Sequence, residues 1–211
     1  EFIYWAGGEP LITENHYRVL ERLIELEKYP DLWYTTNFSI IQYKQYNILD
    51  IWNKLSEGGS CITVNASIDG SHERGEYIRH GLSWDKFIEN KKTFDEKCPD
   101  INFDITTVWG NTNSLHITDF FKEMLELKIV DTPNRLAFND VGGVEFLSII
   151  TLSIEYKRKV ENNISKLKEW VESNFNSDDY FEFFERLDNF IIYMNDRDGS
   201  SQLPLYFENM K

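Results

Sequence analysis

The stretch FIYWAGGEP at residues 2–10 decides how the fold is organised. Its first part, residues 2–6, is an apolar run of strand length, and we interpret it as a buried β-strand. Gly7 and Gly8 then end the strand in a turn. Thr13 is the predicted N-cap of an amphipathic helix that follows the turn. A strand, a turn and a helix in this order make one βα unit.

The same alternation continues outward from this stretch through the first two thirds of the chain. Amphipathic helices separate four further apolar runs of strand length. Repeated strand–helix units of this kind predict an α/β fold around a parallel sheet. The predicted strands cover residues 2–6, 32–36, 61–68, 101–108 and 135–138, and the helices after the first cover residues 42–55, 83–96 and 114–127.

The pattern changes after the last predicted strand, where two long helical stretches replace the alternation. These helices cover about residues 153–173 and 177–195, and Ser177 is the predicted N-cap of the second. We therefore predict two parts. Residues 1–141 form the α/β domain, and residues 142–211 form a C-terminal helical extension.

The composition excludes several classes of protein. The 211 residues include 36 acidic and 22 basic side chains, a formal net charge of −14, which argues against a general nucleic-acid binder. No apolar run approaches the roughly 18 to 20 residues of a membrane-spanning helix, and no signal peptide opens the chain, so we expect a cytoplasmic protein with no membrane partner. Cys61 and Cys98 are the only cysteines and the four histidines are scattered, so no metal site is predicted.

Polar residues follow three of the predicted strands, at the edge where parallel sheets bind their ligands. Glycine carbonyls there can accept hydrogen bonds from an ammonium group, and the fork of a guanidinium suits a carboxylate. Each segment alone also fits an ordinary turn or a salt-bridged surface loop. The residues are Gly7, Gly8 and Glu9 after the first strand, Thr36 and Asn37 after the second, and Ser67, Asp69 and Arg79 after the third.

The order and spacing of these motifs resemble the radical S-adenosylmethionine (radical SAM) superfamily, most closely its peptide-modifying and sulfatase-maturing branch. The resemblance covers about residues 1–141 and implies a (βα) barrel that binds S-adenosylmethionine. It rests on GGEP at residues 7–10, TN at residues 36–37, SIDG at residues 67–70 and the arginine twelve residues beyond Ser67.

The resemblance implies which residues hold the methionine part of the cofactor. Gly7, Gly8 and Glu9 match the motif that meets its amino group. Ser67 and Arg79 match the pair that binds its carboxylate. No residue is assigned a catalytic role.

The resemblance also implies contacts to the rest of the cofactor. Asp69 matches an aspartate near the ribose, and Thr36 and Asn37 match the polar residues at the end of the second strand. Asn113, or alternatively Asn111, follows the strand that contributes adenine or substrate contacts.

The chain lacks the defining motif of the superfamily, a CxxxCxxC loop whose three thiolates hold a [4Fe-4S] cluster. That loop follows the family's first strand, whereas residues 2–6 match the second. We therefore expect a partial barrel without the first βα unit, inactive by itself, with the cluster present only in the full-length protein. A descendant that has lost the cluster is the alternative.

These expectations describe part of an enzyme that reductively cleaves S-adenosylmethionine to a 5′-deoxyadenosyl radical, which then abstracts hydrogen from a substrate. A peptide or protein substrate is expected from the closest branch of the family. The alternative is a non-catalytic α/β module that binds a nucleotide or a partner. We also expect the strand at residues 2–6 to have an unpaired edge, through which two chains can dimerise.

Overall fold

The computed structural model describes residues 1–209, which contain seven strands and eight α-helices. The strands are β1 (Phe2–Trp5), β2 (Asp31–Thr36), β3 (Gln42–Tyr43), β4 (Tyr46–Asn47), β5 (Ile62–Ser67), β6 (Asn102–Trp109) and β7 (Leu136–Asp140). The helices are α1 (Glu14–Glu25), α2 (Ile48–Glu57), α3 (His72–Ile78), α4 (Trp84–Lys97), α5 (Ile117–Glu126), α6 (Ile154–Asn174), α7 (Ser177–Asn195) and α8 (Leu203–Asn209).

Five of the strands form one sheet in the order β1-β2-β5-β6-β7, and β3 and β4 form a separate antiparallel hairpin. The chain divides into two compact units, Glu1–Ile105 and a second that begins at Thr106. The predicted α/β class with a C-terminal helical part is confirmed. The predicted domain boundary after residue 141 directly follows β7 and stays a prediction.

In the first unit, β1, β2 and β5 run parallel to one another. Trp5 lies opposite Tyr34, and Thr36 lies opposite Ala66. Because the three strands are parallel and in register, their carboxyl ends meet at one edge of the sheet. Every second residue of β2 is buried, as the two-residue period of a strand requires, and Tyr34 packs edge-on against Trp52 of α2 with ring centroids 4.9 Å apart.

The second unit is built around aromatic side chains. Trp109 of β6 stacks on Phe190 of α7 with ring centroids 4.6 Å apart. Phe138 of β7 packs edge-on against the same phenylalanine at 5.3 Å. The apolar face of α7 therefore packs on β6 and β7, as the helical spacing of its aromatic residues predicts.

The prediction that residues 2–6 form a buried strand is right about the strand and wrong about its burial. The strand exists as β1, but Phe2 is 61% exposed and Tyr4 is 56% exposed. The physical reason is position, since β1 is the terminal strand in the sheet order and one of its faces is open. Dimerisation through this edge remains a prediction.

The predicted helix at residues 42–55 begins too early. Residues 42–47 form the hairpin of β3 and β4, and α2 starts only at Ile48. The side chain of Asn47 accepts hydrogen bonds from the backbone N–H groups of Leu49 and Asp50, which makes Asn47 the N-cap.

Two other local predictions are corrected. The residues after Ser71, expected to form a loop, fold into α3 instead. Ser177 is the first helical residue of α7, and Asn176 is its N-cap. Thr13, in contrast, occupies the N-cap position of α1 as predicted.

No helix within residues 1–209 combines the length and the apolar character that crossing a lipid bilayer requires.

Candidate functional site

The turn after β1 presents open backbone. Gly7 and Gly8 have φ angles of +83° and +60°, a region that favours glycine. A Cβ atom added at either position would meet no heavy atom within 4 Å. The two glycines therefore form a shallow cradle in which a ligand can approach the backbone directly.

Glu9 fixes this turn against the end of β2. Its Oε1 accepts hydrogen bonds from Thr36 Oγ1 at 2.6 Å and from the Leu11 N–H at 3.1 Å, and its Oε2 accepts from the Asn37 N–H at 2.7 Å. The structure thus brings together three of the residues that the sequence singled out. Since three donors already occupy the Glu9 carboxylate, its first role is to hold the two strand ends together.

An ion pair lies beyond the end of β5. The Arg79 guanidinium donates from Nε and Nη2 to the same oxygen of Asp69, Oδ2, at 3.1 and 2.8 Å. The side chain of Asp69 is 10% exposed and that of Arg79 is 28% exposed. The alternative interpretation of a salt-bridged loop also expects a salt bridge here, and this one is partly enclosed.

Helix α3 lies between Asp69 and Arg79 in the chain. It packs closely against the residues after β5 through Gly75. A Cβ atom added to Gly75 would lie 2.1 Å from the carbonyl oxygen of Gly70. Only a glycine allows the helix to approach the strand end this closely. The sequence carries no direct signal for α3, because a glycine inside a seven-residue helix lowers helix propensity.

The three strand ends together span a site suited to an amino acid. Neighbouring strands lie about 5 Å apart, so the glycine turn after β1 and Ser67 at the end of β5 are separated by about 10 Å. Ser67 is half-buried and closes β5. An edge with carbonyl groups at one end and a hydroxyl and a guanidinium near the other can bind an ammonium and a carboxylate of one ligand.

The first unit also contains a buried histidine beneath this edge. His16 of α1 is 2% exposed, and its Nε2 lies 2.9 Å from the hydroxyl of Tyr34. Its Nδ1 has no hydrogen-bond partner among the described residues. Burial lowers the pKa of His16 to about 4, so the ring is neutral at physiological pH.

In the second unit, Asn113 lies in the loop after β6. Its side chain is buried, accepts from the Gly110 N–H at 3.0 Å and donates to the Val108 carbonyl at 2.9 Å. Asn111 donates to the carbonyl of Phe146 at 2.7 Å. Asn113 therefore stabilises its own loop, and Asn111 ties that loop to the segment after β7. A contact of either asparagine with a ligand stays a prediction.

Sequence reasoning missed a polar cluster at the end of β7. Asp140 accepts hydrogen bonds from Ser148 Oγ at 2.8 Å, from the Ile149 N–H at 3.1 Å and from the Tyr193 hydroxyl at 2.7 Å. The only signal was an acidic residue at a strand end. Its partners lie 8 to 53 positions away, so the sequence alone could not pair them.

Comparison with known structures shows that this fold is like part of the barrel of a radical SAM enzyme. The chain is similar to "Native anSMEcpe with bound AdoMet and Kp18Cys peptide", an anaerobic sulfatase-maturating radical SAM enzyme, with 18% identity and a TM-score of 0.56 over 82% of this chain and 48% of that chain. It is also similar to a polyhistidine-tagged form of anSMEcpe with bound AdoMet, with 17% identity and a TM-score of 0.55 over 82% and 46%. The chain thus spans less than half the length of these structures. No protein-family model and no curated protein sequence matches the chain.

The residues present fit S-adenosylmethionine but do not fit an iron–sulfur cluster. The open glycine cradle and the partly exposed Arg79 suit the ammonium and the carboxylate of a methionine moiety. The two cysteines cannot supply three thiolates, and Cys98 is buried with its Sγ 3.7 Å from the Leu49 carbonyl. No group of three metal-binding side chains occurs in residues 1–209.

Proposed function

We propose that this chain is the cofactor-binding part of a radical SAM enzyme. The observation that carries the proposal is the meeting of three parallel strand ends, which bear an open glycine turn, a braced Thr36–Asn37 segment and the Asp69–Arg79 pair. The likeness of the fold to structures that bind AdoMet supports the same ligand here.

The proposed contacts follow the chemistry of each strand end. The carbonyl groups of Gly7 and Gly8 accept from the cofactor's ammonium, and Glu9 holds this turn in place and adds negative charge nearby. Ser67 and Arg79 donate to its carboxylate. Thr36 and Asn37, by way of Glu9, fix the separation between the turn and the neighbouring strand.

The chemistry of the whole enzyme is also part of the proposal. S-adenosylmethionine supplies the 5′-deoxyadenosyl radical after reductive cleavage, and this chain binds and orients it. The cluster that delivers the electron requires cysteines that these 211 residues do not contain, so we assign it to the full-length protein. No step of the cleavage is derived from this chain's own residues.

We extend the proposal to the substrate and to the setting of the enzyme. Two of the similar structures contain a bound peptide, which supports a peptide or protein substrate. The expected location remains the cytoplasm. The competing function is a non-catalytic module that binds the nucleotide without a cluster, and the low cysteine count favours it for this chain taken alone.

The test is binding of S-adenosylmethionine to the 211-residue chain, measured by isothermal titration calorimetry or, for weak binding, by ligand-observed NMR. Arg79→Ala should weaken binding by roughly ten- to a hundredfold, the value of a charged hydrogen bond in a partly enclosed site. Arg74→Ala, the matched control on α3, should change it less than about threefold. Equal small effects, or no binding by the unaltered chain at millimolar ligand, would refute the proposed site.

A further inference from the structure

We propose that Asp69 is a positioning residue, which orients Arg79 for the carboxylate of S-adenosylmethionine. This inference rests on the proposed function and changes the role of one residue within it. The contacts of the guanidinium carry it.

A guanidinium has two edges that can each bind an acceptor. Asp69 occupies the side edge of Arg79, because Nε and Nη2 both donate to Oδ2. The end edge, formed by Nη1 and the second N–H of Nη2, donates to no described residue. That edge is the fork whose two parallel N–H groups match a carboxylate. The pair therefore leaves open an edge of the arginine that can bind a carboxylate through two N–H groups.

Burial explains why the pair can orient the arginine. An arginine side chain has many rotamers, and the entropy lost when a ligand selects one of them opposes binding. Asp69 is the more enclosed partner, at 10% exposure, so it provides a fixed anchor for the more exposed Arg79.

Charge repulsion and a positioning role predict opposite effects of Asp69→Asn on the affinity for S-adenosylmethionine, so an experiment can distinguish them. Asp69→Asn removes a negative charge close to the bound carboxylate, so charge repulsion by itself predicts tighter binding after the substitution. A positioning role predicts weaker binding, because the guanidinium loses its fixed orientation. Asn retains the shape of the side chain, which limits other structural effects.

The experiment compares two ligands, S-adenosylmethionine and decarboxylated S-adenosylmethionine, by calorimetry with the unaltered chain and three variants. Asp69→Asn and Arg79→Ala should each weaken binding of S-adenosylmethionine, and the loss should be about tenfold for Asp69→Asn. Both variants should change binding of decarboxylated S-adenosylmethionine less than about twofold. Glu73→Gln is the control, because it also removes one negative charge, at a position in α3, and it should change the affinity for neither ligand. Equal weakening of both ligands by Asp69→Asn, or tighter binding of the first, would overturn the positioning role.

Two further results separate this inference from the proposed function. If the unaltered chain binds neither ligand, the proposed function fails and the inference fails with it. If it binds both ligands equally well and Asp69→Asn weakens both, the nucleotide site stands and only the carboxylate role is lost. As an independent measurement, the Arg79 Nε–Hε NMR signal should be protected from solvent exchange in the unaltered chain and lose that protection in Asp69→Asn; an unprotected signal in both would overturn the pairing.

Discussion

Two aspartates at strand ends, Asp69 in the first unit and Asp140 in the second, differ in the partners they bind. Asp69 forms an ion pair with Arg79 through the side edge of the guanidinium, and the end edge of that guanidinium stays open. Asp140 accepts from three neutral donors, one of them on α7, and ties that helix to β7. An aspartate near the end of a strand can therefore hold an arginine, as Asp69 does, or attach a helix, as Asp140 does.

The difference shows that the role of a carboxylate at a strand end can be assigned only from its hydrogen-bond and ion-pair partners. Charged partners with open N–H groups suit a binding site, whereas neutral donors from distant segments suit structure. If this distinction is right, substitution should affect stability strongly at Asp140 and weakly at Asp69.

Asp140→Ala should produce the largest loss of stability, about 3 kcal/mol, because three donors lose their acceptor at once. Urea unfolding monitored by circular dichroism measures the free energy of unfolding. Asp69→Ala is the comparison variant and should cost less than Asp140→Ala, since the ion-pair partner Arg79 is partly exposed and can be solvated by water. Similar losses for the two aspartates would break the comparison.

Gly75→Ala should destabilise the first unit by about 2 to 3 kcal/mol, because its new Cβ would lie 2.1 Å from the Gly70 carbonyl oxygen and force α3 outward. Gly142→Ala is the control, since no heavy atom lies within 4 Å of a Cβ added there. Differential scanning calorimetry of both variants tests this. A stable Gly75→Ala with unchanged S-adenosylmethionine binding would show that the seating of α3 is not needed to place Arg79.

The sequence predicted the α/β alternation and the strand ends because both depend on local patterns: a two-residue or 3.6-residue apolar period and glycine turns. It mispredicted residues 42–47 because aromatic residues occur in helices and hairpins alike, and here Tyr46 stacks on Tyr17 at 4.7 Å. It missed α3 because that helix depends on a tertiary contact of Gly75. Pairings such as Tyr193 with Asp140 depend on the folded chain and leave no periodic signal.

Acid should destabilise the first unit through His16. Its pKa in the folded state is lowered to about 4 from 6.5, so the unfolded chain binds more protons between these values. Stability is then complete above about pH 6.5 and is lost as pH falls toward 4, by about 2 kcal/mol between pH 7 and pH 5. In the second unit, burial also lowers the pKa of Lys157.

Urea unfolding at about pH 7 and about pH 5 measures this effect. His16→Gln should reduce the difference between the two pH values, because glutamine can still bond Tyr34 but does not titrate. Amide exchange should lose protection in α1 and β2 at the lower pH before it does in α7. An unchanged pH dependence in His16→Gln would assign the acid sensitivity to other groups.

Tyr193→Phe should cause the smallest loss, about 1 kcal/mol or less, since it removes one of three donors to Asp140 and leaves the ring in place. Tyr193 is 40% exposed, so water can replace the lost hydroxyl. Tyr4→Phe is the control, because the Tyr4 hydroxyl lies 2.9 Å from Thr35 Oγ1 at an exposed position and should contribute less than about 0.5 kcal/mol. If urea unfolding gives Tyr193→Phe no larger an effect than Tyr4→Phe, then Ser148 and the Ile149 N–H hold Asp140 without help from α7, and the helix is attached by its aromatic packing alone.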